Sequence, residues 1–315
     1  MKGLVYKSTG SWYTVKSQEG DFYNCRIKGR FRIKGIKSTN PVAVGDHVSF
    51  EVETKGDETI GIIDGIDSRY NYIVRKSVNL SKQTHIIAAN IDVAFLLVTL
   101  NNPPTFTTFI DRFLVTAEAY HIKAVLLFNK IDTCSEDDLE YIDALAHMYE
   151  RIGYPTHKIS ATNKENIDFL KEEINNKQVM ISGHSGVGKS TLVNSLDPTF
   201  QLKIGEISKA HKQGQHTTTF AEMHKLASGG YIIDTPGIRA FGVVDLDKAV
   251  ISHYFPEMRA ILADCKFNNC QHINEPKCAV KEAVETGEID ESRYATYMQL
   301  MEEDANDIHR KNIYG

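Results

Sequence analysis

A chain of 315 residues, 42% hydrophobic and 24% charged, lies in the globular range and is long enough for two or three cores. Its longest apolar stretch, Ile86 to Leu100, is broken by Asn90, Asp92 and Thr99, and it falls short of the roughly 18 to 20 apolar residues of a bilayer span. No membrane contact is expected. The N-terminus lacks the apolar core of a secretory signal, so a cytoplasmic protein is expected, and the net charge of −5 does not itself point to a polyanionic partner.

Residues 1 to 70 carry short β-type runs: Leu4 to Tyr6, Trp12 to Lys16, Phe22 to Ile27, His47 to Val52 and Ile60 to Ile63. Gly10, Gly20, Gly35, Gly45 and Gly56 punctuate them, and this spacing predicts a small closed β-barrel of the OB type. Residues 1 to 40 hold nine cations (Lys2, Lys7, Lys16, Arg26, Lys28, Arg30, Arg32, Lys34, Lys37) against Glu19 and Asp21. The barrel is therefore locally basic. Trp12, Tyr13, Phe22, Tyr23 and Phe31 lie among these charges. OB barrels use such aromatics to hold single-stranded nucleic acid, although aromatics in a small barrel also build its core.

From about residue 90 the texture changes to nearly continuous apolar runs, Val93 to Leu100, Ala124 to Phe128, Thr156 to Ile159, Val179 to Ile181 and Tyr231 to Ile233, alternating with amphipathic stretches. That pattern predicts a parallel sheet covered on both faces. After the second run comes Asn129-Lys130-Ile131-Asp132, an N-K-x-D pattern. A fixed carboxylate at Asp132 can accept the N1-H and 2-amino hydrogens of guanine, a donor pair that adenine lacks. Ser160-Ala161, after the third run, is placed to offer a backbone N-H to guanine O6.

Gly183-His184-Ser185-Gly186-Val187-Gly188-Lys189-Ser190 fits G-x-x-x-x-G-K-S between an apolar run and the helical run Thr191 to Leu196. Backbone N-H groups of such a loop curl around phosphates, and the helix N-terminus adds favourable partial charge. Lys189 is expected to reach the β- and γ-phosphates and Ser190 to ligate magnesium. Asp234-Thr235-Pro236-Gly237 follows the last run as a D-x-x-G motif, with Asp234 toward the magnesium shell and Gly237 toward the γ-phosphate. The guanine motifs precede the phosphate loop, the reverse of the usual order. Such circular permutation is tolerable because the joined termini of a doubly wound domain lie at its surface.

Cys265-x4-Cys270-x-His272-x5-Cys278 supplies three thiolates and an imidazole, a full tetrahedral set for one structural Zn²⁺. Cys25 and Cys134 are isolated, and the acidic end, including Glu302, Glu303, Asp304 and Asp307, reads as a solvated helix face.

The basic barrel, the N-K-x-D motif before the phosphate loop, Gly214-Gln215-His216-Thr217-Thr218-Thr219 after it and the terminal Cys/His cluster together resemble the ribosome small-subunit-dependent GTPase family (RsgA/YjeQ) along essentially the whole chain. The resemblance implies a cytoplasmic GTP hydrolase that acts in late maturation of the small ribosomal subunit, with GTP and GDP, that subunit and its rRNA as partners. It is expected to be a monomer. Three domains are expected: an OB-type barrel over 1–72, a circularly permuted α/β P-loop GTPase domain over 73–242 and a helical zinc-binding domain over 243–315. Ile238 stands where many GTPases carry a water-orienting glutamine, so the resemblance makes His216 the candidate for that role. One of Thr217, Thr218 or Thr219 is expected to complete the magnesium shell. Potassium-activated relatives carry an asparagine where this chain has Gly186, and no potassium activation is expected.

Overall fold

The computed structural model describes residues 1–28, 41–56, 58–76, 84–200, 221–234 and 246–303. Strands β1 (Lys2–Ser8), β2 (Tyr13–Ser17), β3 (Phe22–Ile27), β4 (His47–Lys55) and β5 (Glu58–Ile66) pair in the order β1-β2-β3-β5-β4, and β4 closes back on β1. The β3–β5 pair is parallel and the others antiparallel. This is the five-stranded Greek-key barrel that the spacing predicts. Alternation along β2 sends Tyr13 and Val15 inward to meet Val5, Cys25, Phe50 and Ile63.

The same alternation sorts the barrel aromatics. Tyr13 is core at 1% exposure, Tyr23 packs on Phe50 with centroids 5.4 Å apart, and the Arg26 guanidinium lies 3.8 Å from the Trp12 ring centroid. Phe22 is exposed, and Phe31 lies outside the described residues.

The apolar stretch from Ile86 to Leu100 is two strands, not one. β6 (Tyr72–Lys76) and β7 (Thr84–Ala89) form a separate antiparallel pair, and β8 (Val93–Val98) begins after a break. Asn90 makes the break: it adopts φ 55°, donates its side-chain amide to the Gly45 carbonyl at 2.9 Å and accepts from the Tyr70 N–H at 3.2 Å.

The second sheet runs β10-β9-β8-β11-β13, all parallel, through β9 (Lys123–Asn129), β10 (Thr156–Ile159), β11 (Gln178–Ser182) and β13 (Tyr231–Asp234), with β12 (Glu222–Lys225) antiparallel beyond. All six residues of β8 are buried, as a central strand covered on both faces must be. Ala94, Leu96 and Val98 share one core with α1 (Thr107–Ala119) and α2 (Glu136–Ile152). Val93, Phe95 and Leu97 face α3 (Asp168–Ile174) and α4 (Lys189–Leu196). Ser135 and Asp138 form a reciprocal capping box that starts α2, and Gly153 at φ 109° ends it.

The two sheets are continuous. β12 pairs with β1 through Lys7 opposite Glu222, and these side chains form an ion pair at 2.8 Å. At the other end, α5 (Pro256–Arg259), α6 (Ala279–Glu285) and α7 (Glu291–Glu302) gather around Phe255, Met258, Val280 and Tyr297, with Val115 of α1 joining that core. Glu303 is not on an open solvated face, because its carboxylate clamps the Arg112 guanidinium of α1 from just beyond α7. Asp304 and Asp307 lie outside the described residues. Among the described residues, no helix is long and apolar enough to cross a membrane.

Candidate functional site

Parallel pairing brings the chemistry to one edge. Ile159 lies opposite Asn129, and Ser182 opposite Leu96, so the carboxyl ends of β9, β10, β11 and β13 lie along one edge. Ligands of open α/β sheets bind at that edge.

The loop from Gly183 to Gly188 is pinned near its end by Val187, which is fully buried in the α3–α4 core. Gly188 adopts φ 104°, and a Cβ there would run into the Asn129 side-chain amide. Gly183, at φ 139°, leaves no room for a Cβ beside the Leu97 carbonyl. Only glycine fits both places. Lys189 Nζ donates to the carbonyls of Gly183 at 2.7 Å and His184 at 2.6 Å, so its charge is held over the loop. Ser190 is buried in the first turn of α4, Thr191 is half-buried beside it, and Ser185 and Gly186 are exposed on the loop. The His184 ring lies 3.7 Å from that of Phe109 in α1. Burial, and then the Lys189 charge, holds the His184 imidazole below its ordinary pKa.

Asn129 ties three motifs together. Its Nδ2 donates to the Val187 carbonyl at 2.7 Å, and its Oδ1 accepts from the Ala161 N–H at 3.0 Å. Ser160 Oγ donates to Asp132 Oδ1 and accepts from the Asn163 N–H at 3.1 Å. Lys130, at φ 68°, donates from Nζ to the Asn102 carbonyl at 2.6 Å. The structure thus brings Asn129, Lys130, Asp132, Ser160, Ala161 and residues 183 to 191 together at one edge of the sheet. The backbone donors of Ser160 and Ala161 are both engaged inside the protein, on the Glu165 carbonyl at 3.1 Å and on Asn129. The pair therefore holds the motif side chains, with Ala161 on Asn129 and Ser160 on Asp132. Asp234 ends β13 at the same edge. Its side chain lies outside the described residues, as do His216, Thr217, Thr218, Thr219, Gly237 and Ile238.

Cys265, Cys270, His272 and Cys278 converge so that one ligand atom from each lies within 4.8 Å of all the others. His272 Nδ1 is 3.6 Å from Cys265 Sγ and 3.3 Å from Cys278 Sγ. These separations match the roughly 3.5 Å edge of a tetrahedron with metal–sulfur and metal–nitrogen bonds of about 2.3 and 2.0 Å. The cluster fits one metal ion. Its loop is held from outside: Tyr294 and Tyr297 donate to the His272 and Gln271 carbonyls, each at 2.7 Å. Burial alone would raise the Glu275 carboxyl, yet the Gln271, Ile273 and Asn274 N–H groups bring it below its ordinary range.

Sequence reasoning misses the join between the two regions. Arg293 of α7 and Asp111 of α1 are both fully buried and form an ion pair at 2.9 Å. Arg293 Nε also donates to Glu257 at 2.7 Å, and its guanidinium lies 4.6 Å from the Phe255 ring centroid. Tyr149 and Thr296 complete the Asp111 carboxylate at 2.9 and 2.8 Å. Asp111 and Arg293 lie 182 residues apart along the chain, and no local motif marks them.

A phosphate loop braced by the asparagine of an N-K-x-D loop that precedes it in the chain defines a circularly permuted P-loop GTPase. The RsgA GTPase family matches residues 66–244, and the RsgA N-terminal domain matches residues 2–63. The small ribosomal subunit biogenesis GTPase RsgA of Christiangramia forsetii is 62% identical over 96% of both chains. The protein of that name from Flavobacterium johnsoniae is 59% identical over 100% of this chain and 97% of its own. The crystal structure of YjeQ from Thermotoga maritima superposes with a TM-score of 0.76 at 33% identity, covering 99% of each chain. YloQ, a circularly permuted GTPase, gives 0.72 at 30%, covering 99% of this chain and 96% of that one. The chain belongs to the RsgA GTPase family, and it is an enzyme that hydrolyses GTP.

Proposed function

We propose that this enzyme turns over GTP in the late maturation of the small ribosomal subunit, working in the cytoplasm as a monomer whose basic barrel touches rRNA. The nucleotide reading is carried by the Asn129 brace, which fixes the base-reading loop against the phosphate loop. Identity of 62% with a relative named for small-subunit biogenesis supports the choice of partner.

At that edge of the sheet, Asp132, held by Ser160, takes the N1-H and 2-amino hydrogens of guanine, and Lys130 lines the base. The N–H groups from Gly183 to Thr191 cradle the phosphates, and Lys189 stabilises charge on the transferring phosphoryl group. Ser190, Asp234 and one of Thr217, Thr218 or Thr219 would hold the Mg²⁺ that accompanies GTP, and that ion would supply neutralisation of the negative charge on the phosphates. His216 orients the attacking water, and Gly237 senses the γ-phosphate. Zn²⁺ at Cys265, Cys270, His272 and Cys278 is structural, since four protein ligands leave no position for water. Two contacts support communication away from the nucleotide: the His184–Phe109 stack, which leads to α1 and Arg293, and the β12–β1 pairing, which leads to the barrel.

The test is turnover of GTP and ATP with and without purified small subunits. The expected outcome is hydrolysis of GTP alone, faster with subunits and abolished by Lys189→Ala. Equal hydrolysis of ATP, or a rate indifferent to the subunit, would overturn the reading.

A further inference from the structure

The barrel and the second sheet enclose a crevice of about 520 Å³, within the size range of small-ligand sites and separate from the nucleotide site. One wall is aromatic. Tyr6 falls at a register shift of β1 between Val5 and Lys7, and a bulge of this kind re-aims a side chain. Its ring stands edge-on to Phe22 at 5.2 Å and to Tyr231 of β13 at 5.9 Å. The Tyr6 hydroxyl is buried without a hydrogen bond of normal geometry, which is uncommon for a polar group in a finished core.

Phe22 adjoins this wall at the start of β3 and is 57% exposed. Its packing on Tyr6 leaves more than half of the residue open to water. Directly across the strand pair is Lys16, whose Nζ lies 5.2 Å from the Phe22 ring centroid and 5.9 Å from that of Tyr6. Lys2 of β1 and Lys225 of β12 bring two further ammonium groups to the lining. Against these, Asp67 is the one carboxylate among the described lining residues, and it pairs with Lys2 at 3.1 Å.

An exposed ring, Phe22, beside clustered ammonium groups is the chemistry of single-stranded nucleic acid, whose bases stack and whose phosphates need cations. An acidic peptide would satisfy the lysines and leave the ring unused. We propose that this junction holds one unpaired ribonucleotide of an RNA strand, with its base against Phe22 and its phosphate among Lys2, Lys16 and Lys225. The proposal rests on the RNA-binding reading above and adds the place where a strand enters. Because Lys225 and Tyr231 belong to β12 and β13, the bound nucleotide would touch the strand that ends at Asp234.

The test titrates the full-length protein into a fluorescein-labelled uridine hexamer and reads anisotropy, with UMP as competitor and co-sedimentation with small subunits in parallel. Phe22→Ala is expected to weaken hexamer binding about tenfold, the effect of losing one stacked base, while Phe22→Trp binds as wild type. Lys16→Ala should lower the salt dependence of binding by about one phosphate contact. GTP affinity and melting temperature should not change in any of the three. Hexamer affinity unchanged by Phe22→Ala and Lys16→Ala would overturn the proposal. So would UMP competing as well as the hexamer, which would mark the crevice as a free-nucleotide site. If the wild type sediments with subunits while hexamer binding ignores Phe22, the crevice fails alone. If hexamer binding depends on Phe22 but nothing sediments, the crevice stands and the small-subunit reading fails.

Discussion

The side-chain amide of Asn129 stands where a Cβ on Gly188 would have to go. The base-reading loop and the phosphate loop are thus fitted to each other through one atom, although they lie 59 residues apart in a chain whose motif order is permuted. Gly188→Ala should break this fit twice, because its φ of 104° disfavours a side chain by about 1–2 kcal/mol and the methyl group displaces Asn129. The expected outcome is turnover reduced by about 100-fold or more, as for other small misplacements of catalytic groups, with the barrel and C-terminal helices still folded. Asn129→Ala should act on the same joint by stranding the Val187 carbonyl and the Ala161 N–H, at about 1–3 kcal/mol for each group left unsatisfied. Calorimetric GTP titration of both variants checks the pairing.

What was legible in the sequence follows from this joint. The phosphate loop, the N-K-x-D pattern and the Cys/His cluster can be read because each needs rare residue types at fixed spacing to make one local backbone shape or ligand set. The strand runs of the second sheet are legible because central parallel strands are apolar throughout. What was not legible depends on register. Tyr13 and Phe22 look alike in composition, yet the phase of β2 and β3 puts one in the core and the other in water. The Lys7–Glu222 pairing and the Asp111–Arg293 ion pair join segments 215 and 182 residues apart, and nothing nearby in sequence announces either.

Asp132→Asn should exchange guanine for xanthine, since an amide can donate to the xanthine 2-oxo group where the carboxylate only accepts. Two charge-assisted hydrogen bonds at roughly 1.5–3 kcal/mol each are lost, so GTP affinity should fall by about 100-fold or more. Competition between GTP and XTP for the variant measures the exchange, and unchanged GTP affinity would remove Asp132 from the base site.

Arg293→Ala leaves Asp111 buried without its cation. Removing one partner of such a pair costs about 3–5 kcal/mol, and the loss should appear as an earlier unfolding transition of the C-terminal helices. Joint replacement, Asp111→Leu with Arg293→Met, should recover much of that loss because no charge is then stranded. Chemical denaturation of the single and double variants tells the two cases apart, and an Arg293→Ala variant as stable as wild type would show that the buried network does not hold the domains together.

Elemental analysis should find one zinc per chain at the Cys265, Cys270, His272 and Cys278 cluster. Cys265→Ser or Cys278→Ser should release it and unfold the 246–303 region while GTP binding survives. Because thiolates and neutral imidazole are the ligating forms, zinc retention should fall as pH drops toward 5. Metal-free protein that melts identically with and without a chelator would contradict the structural role.

The central claim is that the γ-phosphate state governs engagement with the small ribosomal subunit. In sequence the C-terminal helices are the next described elements after β13 and Asp234, and β12, just before it, is hydrogen-bonded to the barrel. If Asp234-Thr235-Pro236-Gly237 acts as the switch, its sequence neighbours are the paired strand on one side and the C-terminal helices on the other, and release on hydrolysis would bias either. By linkage, a subunit that binds the GTP form more tightly must favour GTP over GDP by the same factor. Removal of residues 1 to 70 should weaken subunit binding and spare GTP binding. Co-sedimentation of the full-length protein with purified small subunits, in GDP and in a non-hydrolysable GTP analogue, measures the coupling directly. Tighter binding with the analogue, by about fivefold or more, is the predicted result, and equal affinity in the two nucleotides would contradict the account even if every motif performed its assigned chemistry.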